Sequence, residues 1–160
     1  METTIHPLIR DDEPFLWDAL YYAIHTESGE KPSRDILHKR DIARYVADWM
    51  QHPDDFGFIA EDDGAPIGAA WLRRWSKGNR GYGFVNESTP ELSMSLLPGY
   101  RGRGIGTKLL RHLLDAAKEH FDAISLSVSK TNPALHLYER EGFVAVNETE
   151  DSSITMVKDL

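Results

Sequence analysis

The chain has 160 residues, 41% of them hydrophobic and 10% aromatic, enough apolar material for a buried core and too much for a disordered polymer. Its formal charge is −8, from 26 acidic against 18 basic side chains, which speaks against a nucleic-acid-binding surface. There is no cysteine, and therefore no disulfide framework, thiolate metal site or cysteine nucleophile.

In chain order, residues 5–10 read as a first strand. Asp12 and Pro14 open a helix whose apolar stripe is Phe15, Leu16, Ala19, Leu20, Ala23 and Ile24. Residues 27–32 form a turn-rich break. Ser33 caps a second helical stretch, with Ile42, Tyr45, Val46, Trp49 and Met50 at helical spacing, ended by residues 52–55. Residues 56–61 and 66–73 form a hairpin around Asp62-Asp63-Gly64, followed by a polar loop over 76–82. Residues 91–97 make a strand and 107–120 a helix with Leu109, Leu110, Leu113, Leu114 and Ala117 inward. Residues 123–129 alternate apolar side chains with serine, as a half-buried strand does. Asn132, Pro133 and Gly142 are a cap, a first-turn proline and a stop for a short helix. Residues 143–146 and 154–157 are closing strands around an acidic turn at 148–153. This order predicts a mixed sheet with helices on both faces, in one domain over residues 1–160. The N-terminal residues lack a basic segment followed by an apolar one, so no secretory signal is expected. No apolar run has the length of a membrane span, so no membrane partner and a cytoplasmic location are expected.

Residues 98–107, Pro-Gly-Tyr-Arg-Gly-Arg-Gly-Ile-Gly-Thr, carry the strongest functional signal. They join a strand to a helix, and their glycines let the backbone turn tightly with N–H groups exposed. The helix start adds unpaired N–H groups and the positive end of a dipole, a combination suited to phosphate. Residues 92–114 contain no acidic side chain but include Arg101, Arg103, Lys108 and Arg111. A basic island in an acidic chain fits one bound anion better than a bare surface loop. The nucleotide P-loop order fails, because Gly106 is followed by Thr107-Lys108. The dinucleotide fingerprint fails too, since its last glycine would fall on Thr107 or Leu109. His112, His120 and His136 lack metal-ligand spacing, so no metal is expected.

Arg101, Gly104 and Gly106 fit a Gln/Arg-x-x-Gly-x-Gly/Ala loop, and residues 132–143, Asn-Pro-Ala-Leu-His-Leu-Tyr-Glu-Arg-Glu-Gly-Phe, fit a second, linked block. Together they resemble the pyrophosphate-binding loop and the following helix of the GNAT N-acetyltransferase superfamily, strongly over residues 91–143 and more weakly upstream. The resemblance implies an α/β fold with a largely antiparallel sheet, whose central parallel strands, 91–97 and 123–129, splay apart. It implies acetyl-CoA as cosubstrate, bound by backbone at Leu96 and Leu97, by Arg101, Gly102, Arg103, Gly104, Ile105, Gly106 and Thr107, and by Asn132, Ala134 and Tyr138. Tyr138 is the expected acid for the leaving thiolate. Glu91, at the start of the strand that leads to the cofactor, is the expected base, with Glu87 or water in reserve. Tyr21, Tyr22, Trp75, Tyr82 and Phe84 are candidates for the acceptor pocket, while Trp71 reads as core. The expected partners are acetyl-CoA and an amine, either a small molecule or a protein or peptide amine, with a homodimer left open. The competing reading from another class is a non-catalytic acyl-CoA sensor of the same fold.

Overall fold

A computed structural model describes residues 2–26, 30–149 and 152–160. Its strands are β1 (Thr3–Pro7), β2 (Phe56–Asp62), β3 (Ala65–Arg73), β4 (Glu91–Leu96), β5 (Ala123–Ser129), β6 (Val144–Glu148) and β7 (Ser153–Asp159). They form one sheet in the order β1-β2-β3-β4-β5-β7-β6. Every neighbouring pair is antiparallel except β4 and β5, which are parallel. The helices are α1 (Glu13–Ala23), α2 (Arg40–Ala43), α3 (Ile105–Ala117) and α4 (Ala134–Arg140).

Two apolar cores lie on opposite faces of the sheet. The first packs α3 and α4 against Leu92, Ile124, Leu126, Val128 and Met156. The second packs α1 and the segment around Tyr45, Val46 and Trp49 against Ile59, Ala69 and Trp71. This division follows from strand pleating. On β4, Leu92, Met94 and Leu96 belong to the α3 side, whereas the Ser95 hydroxyl donates to the Ala19 carbonyl of α1 at 2.6 Å. The alternation of apolar residues with serine on β4 and β5 thus records two differently used faces.

The expected elements are present, with shifted ends and one departure. Strand β1 is displaced toward the N-terminus of the expected 5–10, because the Ile9 N–H donates to Asp12 Oδ2 and turns the chain into α1. The turns expected over 27–32 and 148–153 lie partly outside the described residues. The departure is the second helical stretch, which is a 3-10 turn (Arg34–His38), the single α turn α2, and then irregular chain. Left-handed φ angles at Asp48 (60°) and Met50 (66°) break any continuation. Carbonyls that a helix would direct at the next turn are taken by side chains from β3. Arg73 Nη1 donates to Arg44 O (2.7 Å) and Ala47 O (2.6 Å), and Trp71 Nε1 donates to Tyr45 O (3.0 Å).

The same arginine is paired with Asp55 through Nη2–Oδ2 (2.9 Å) and Nε–Oδ1 (3.3 Å), and both residues are buried. Asp55 Oδ2 also accepts the Met50 N–H at 3.1 Å. Removing one member of such a pair strands the other charge. Asp55→Ala is therefore expected to lower the unfolding free energy by about 3–5 kcal/mol, measured by urea denaturation. A loss below about 1 kcal/mol would place the Arg73–Asp55 pair among ordinary surface pairs.

Candidate active site

Strands β4 and β5 are laddered only at their start. Glu91 is the register partner of Ser125, and the Ser125 N–H donates to Pro90 O at 3.0 Å. Beyond that point β4 pairs with β3 alone, so the parallel strands diverge over the rest of their length. Backbone groups alternate in direction along a strand. The Leu97 N–H donates to Ile67 O at 2.8 Å, which turns that amide toward β3. By the same alternation, the N–H groups of Leu96 and Met94 look into the gap. Met94 was not among the expected residues.

At the open end of the gap lies the glycine loop. Gly102 (φ +75°) and Gly104 (φ +79°) are left-handed, a conformation that glycine adopts without strain. An added Cβ at either position would meet nothing within 4 Å, so the loop edges open space. Gly104 is the N-cap of α3, and the first amide to find its acceptor is Lys108 N–H, at 3.3 Å from Gly104 O. The N–H groups of Ile105, Gly106 and Thr107 thus form the acceptor-poor first turn, a ready cradle for an anion. The Ile105 side chain is buried in the core, leaving its backbone for this role. Gly106 lies where a Cβ would come within 3.7–3.8 Å of Leu137, Leu96 and Met94, so α3, α4 and β4 converge there.

The basic island divides. Arg101 donates to Tyr22 O at 3.4 Å at the end of α1, and the Arg103 guanidinium lies 5.5 Å from the Tyr100 ring centroid. Arg111 faces away from the loop and holds Glu141 through two contacts, at 2.9 and 3.2 Å, which pulls the Glu141 carboxyl below its usual range. It is a brace between α3 and the end of α4.

Helix α4 is set by its ends. Asn132 Oδ1 accepts the Ala134 N–H at 2.9 Å. At the other end Gly142 has φ +98°, with Phe143 N–H to Tyr138 O at 3.0 Å and Gly142 N–H to Glu139 O at 3.2 Å. This is the paired bonding of a glycine-terminated helix, with its usual apolar contact between the two flanking residues. Here that contact is Tyr138 against Phe143, edge-on with centroids 5.8 Å apart. The helix stop therefore fixes the Tyr138 ring. Its hydroxyl has no hydrogen-bond partner among the described residues, and burial alone pushes it up to about 12.

Glu91 is not an exposed strand end. It is 4% exposed, and its carboxylate is ringed by donors. Oε1 accepts from Trp75 Nε1 at 2.9 Å and Gly83 N–H at 3.0 Å, and Oε2 accepts from the Tyr45 hydroxyl at 2.7 Å. Desolvation outweighs these donors and Arg44, and raises Glu91 to about 7. The approach of the loop depends on glycine at two places. A Cβ at Gly81 would lie 2.3 Å from Glu91 Oε1, and one at Gly83 would lie 2.7 Å from the Leu126 carbonyl carbon on β5. Glu87 is exposed at the surface, where its carbonyl holds Arg74 Nε at 2.9 Å.

Of the expected aromatic group, Trp75 and Tyr82 gather around Glu91 and Tyr45. Trp71 is fully buried, and Phe84 packs against the same core, with the Arg80 guanidinium 4.9 Å from its ring centroid. Tyr21 and Tyr22 meet edge-on at the end of α1, where the Tyr21 hydroxyl donates to Pro32 O at 2.6 Å. Among the described residues no group of His, Asp and Glu is placed to hold a metal ion, and no helix is long and apolar enough to cross a membrane.

The family model described as the acetyltransferase (GNAT) family matches residues 15–143. The chain belongs to this family. Within it, streptothricin acetyltransferase of Streptomyces lavendulae is 39% identical over 64 residues, which is 39% of this chain and 34% of that protein. An N-alpha-acetyltransferase of Sulfurisphaera tokodaii is 35% identical over 94 residues, 56% of each chain. The matched segments thus span roughly a third and just over half of these curated relatives. The crystal structure of PaiA N-acetyltransferase from Thermoplasma acidophilum in complex with coenzyme A superposes with a TM-score of 0.67 at 20% identity, covering 100% of both chains. At that identity the likeness is one of fold, the GNAT fold.

Proposed function

We propose that this GNAT chain is an acetyl-CoA-dependent N-acetyltransferase that moves the acetyl group directly to a primary amine while both substrates are held together. The observation that carries the reading is a gap between parallel strands with an anion cradle at its open end, a buried phenol beside α3 and a buried carboxylate at its closed end. The relatives bearing acetyltransferase names, one of them an N-alpha-acetyltransferase, support an amine acceptor.

Acetyl-CoA supplies an activated thioester. The first-turn amides of α3, with Arg101 and Arg103, hold its pyrophosphate. Leu96 and Met94 offer backbone groups along the gap, and Asn132 and Ala134 shape the start of α4 beside it. An alkyl ammonium, with a pKa of about 10, must lose a proton before it attacks. Glu91, poised near neutrality, takes that proton directly or through one water. Tyr138 stays protonated at every working pH because burial holds it up to about 12. A thiolate of pKa about 8.5 is far less basic than that phenolate, so the phenol stabilises the departing sulfur by donating a hydrogen bond rather than by complete transfer, and the second nitrogen proton is released to water as the tetrahedral adduct collapses. With no cysteine in the chain, direct transfer fits better than a thioester on the protein.

Tyr138→Phe keeps the edge-on packing against Phe143 and removes only the hydroxyl. Turnover is expected to fall by a factor on the order of 10²–10³ with coenzyme A affinity nearly unchanged. Normal turnover would leave Tyr138 as a packing residue of the helix stop. The acceptor class is tested by incubating the protein with acetyl-CoA and a library of small amines, amino acids and peptides, and identifying acetylated products by mass spectrometry. Products confined to hydroxyl or thiol acceptors would overturn the amine assignment.

A further inference from the structure

The enclosure of Glu91 has an asymmetry that the proposed reaction does not by itself require. Each group bonded to the carboxylate points a hydrogen at it. Trp75 Nε1 and the Gly83 amide can only donate. The Tyr45 hydroxyl could in principle turn round, but it already accepts the Tyr82 N–H at 2.7 Å, which directs its own hydrogen to Glu91 Oε2. Among the described residues, no acceptor faces either carboxyl oxygen.

The charged and polar neighbours reinforce this arrangement. Arg73 is the cross-strand partner of Glu91 on β3, but its guanidinium is taken by Asp55. Arg44, next to Tyr45, places its guanidinium 6.0, 5.8 and 5.4 Å from the ring centroids of Tyr45, Trp75 and Tyr82, and contributes positive potential at Glu91. The Tyr82 hydroxyl donates to Asp41. On β5 the buried Ser125 hydroxyl, opposite Glu91 in register, has no partner among the described residues.

We propose that Tyr45 and Trp75 are positioning residues for Glu91: their two donors favour the charged form of the carboxylate and tie its ionisation to the seating of the segments that follow α2 and β3. The proposal rests on the reading of Glu91 as the base. Removing either donor leaves a carboxylate oxygen with one hydrogen bond fewer in the same buried setting. Protonation then becomes easier, and the ionisation midpoint rises.

The decisive experiment follows Glu91 by carbon NMR on protein labelled at glutamate side-chain carboxyls, with the signal assigned by its absence in Glu91→Gln. It needs no acceptor. Wild type is expected to titrate near 7. Tyr45→Phe and Trp75→Phe should each move the midpoint upward by about one pH unit, the value of one hydrogen bond to a charged group. In an acetyl-transfer assay the acidic limb of the rate profile should move with it, with turnover recovering at higher pH. A folded variant with a lowered melting temperature but an unmoved midpoint would reduce these residues to packing and overturn the proposal. If Tyr45→Phe does not fold, Trp75→Phe carries the same test. An NMR midpoint that moves while the rate profile stays put would uphold the positioning role and instead remove Glu91 as base.

Discussion

Glu91→Gln is expected to lower turnover by a factor on the order of 10²–10⁴ and to abolish the acidic limb of the pH–rate profile. The substitution keeps the size and shape of the side chain. The amide oxygen can take the place of Oε1 beneath Trp75 and Gly83, while an amide N–H in the place of Oε2 makes the Tyr45 hydroxyl turn its hydrogen away. What is lost is the capacity to take a proton near neutral pH. The Michaelis constant for the acceptor should change less than turnover, because the carboxylate matters most as the amine gives up its proton. Stability supplies an independent reading. A carboxyl raised from 4.5 to about 7 on folding binds its proton more tightly in the folded chain. Its contribution is fully present below the ordinary carboxyl range and is lost as pH rises through about 7, a difference on the order of 3 kcal/mol. Glu91→Gln should flatten that part of the stability curve. An unaltered rate profile would pass the role of base to Glu87 or to water.

Gly104→Val is expected to weaken coenzyme A binding by a factor on the order of 10² or more while the fold survives. The left-handed φ of +79° disfavours a β-branched residue, yet a Cβ at this position would meet no atom beyond its chain neighbours within 4 Å. The local cost, about 1–2 kcal/mol, is below the stability of an ordinary domain. The side chain would project into the open space at the start of α3, where a phosphate must approach the first-turn amides. Losing one or two hydrogen bonds to a charged group accounts for the expected fall in affinity. Gly99→Ala, in the same loop and equally free of neighbours, is the control that should bind normally. Calorimetry with coenzyme A on both folded variants decides the point, and an unchanged affinity in Gly104→Val would sink the cradle. Raised salt should weaken wild-type binding.

The parts of this site that were legible in the sequence are those set by local rules. The glycine loop and the cap and stop of α4 depend on which residues tolerate a left-handed φ or satisfy helix ends, and Gly104, Asn132 and Gly142 obey those rules within a few positions. Serine alternation likewise marked the two faces of β5. The surroundings of Glu91 were not legible, because its donors come from positions 45, 75 and 83 and meet only when the sheet is built. Tyr45 looked like one more apolar residue on a helical stripe. That stripe failed for a related reason: Arg73 and Trp71, on a strand more than twenty residues away, capture the carbonyls a helix would have used. The one local hint was Gly81-Tyr82-Gly83, two glycines spaced so that backbone can press against a carboxylate and a strand.

The most direct test of the account is thiol release from acetyl-CoA by the purified chain, with and without the amine library, for wild type and Glu91→Gln side by side. The account predicts release that depends on the amine, matched by acetylated product, rising with pH through about 7 in wild type and strongly reduced and pH-insensitive in the variant. Tight coenzyme A binding by wild type with no amine-dependent release across the library would contradict it and favour a non-catalytic acyl-CoA sensor.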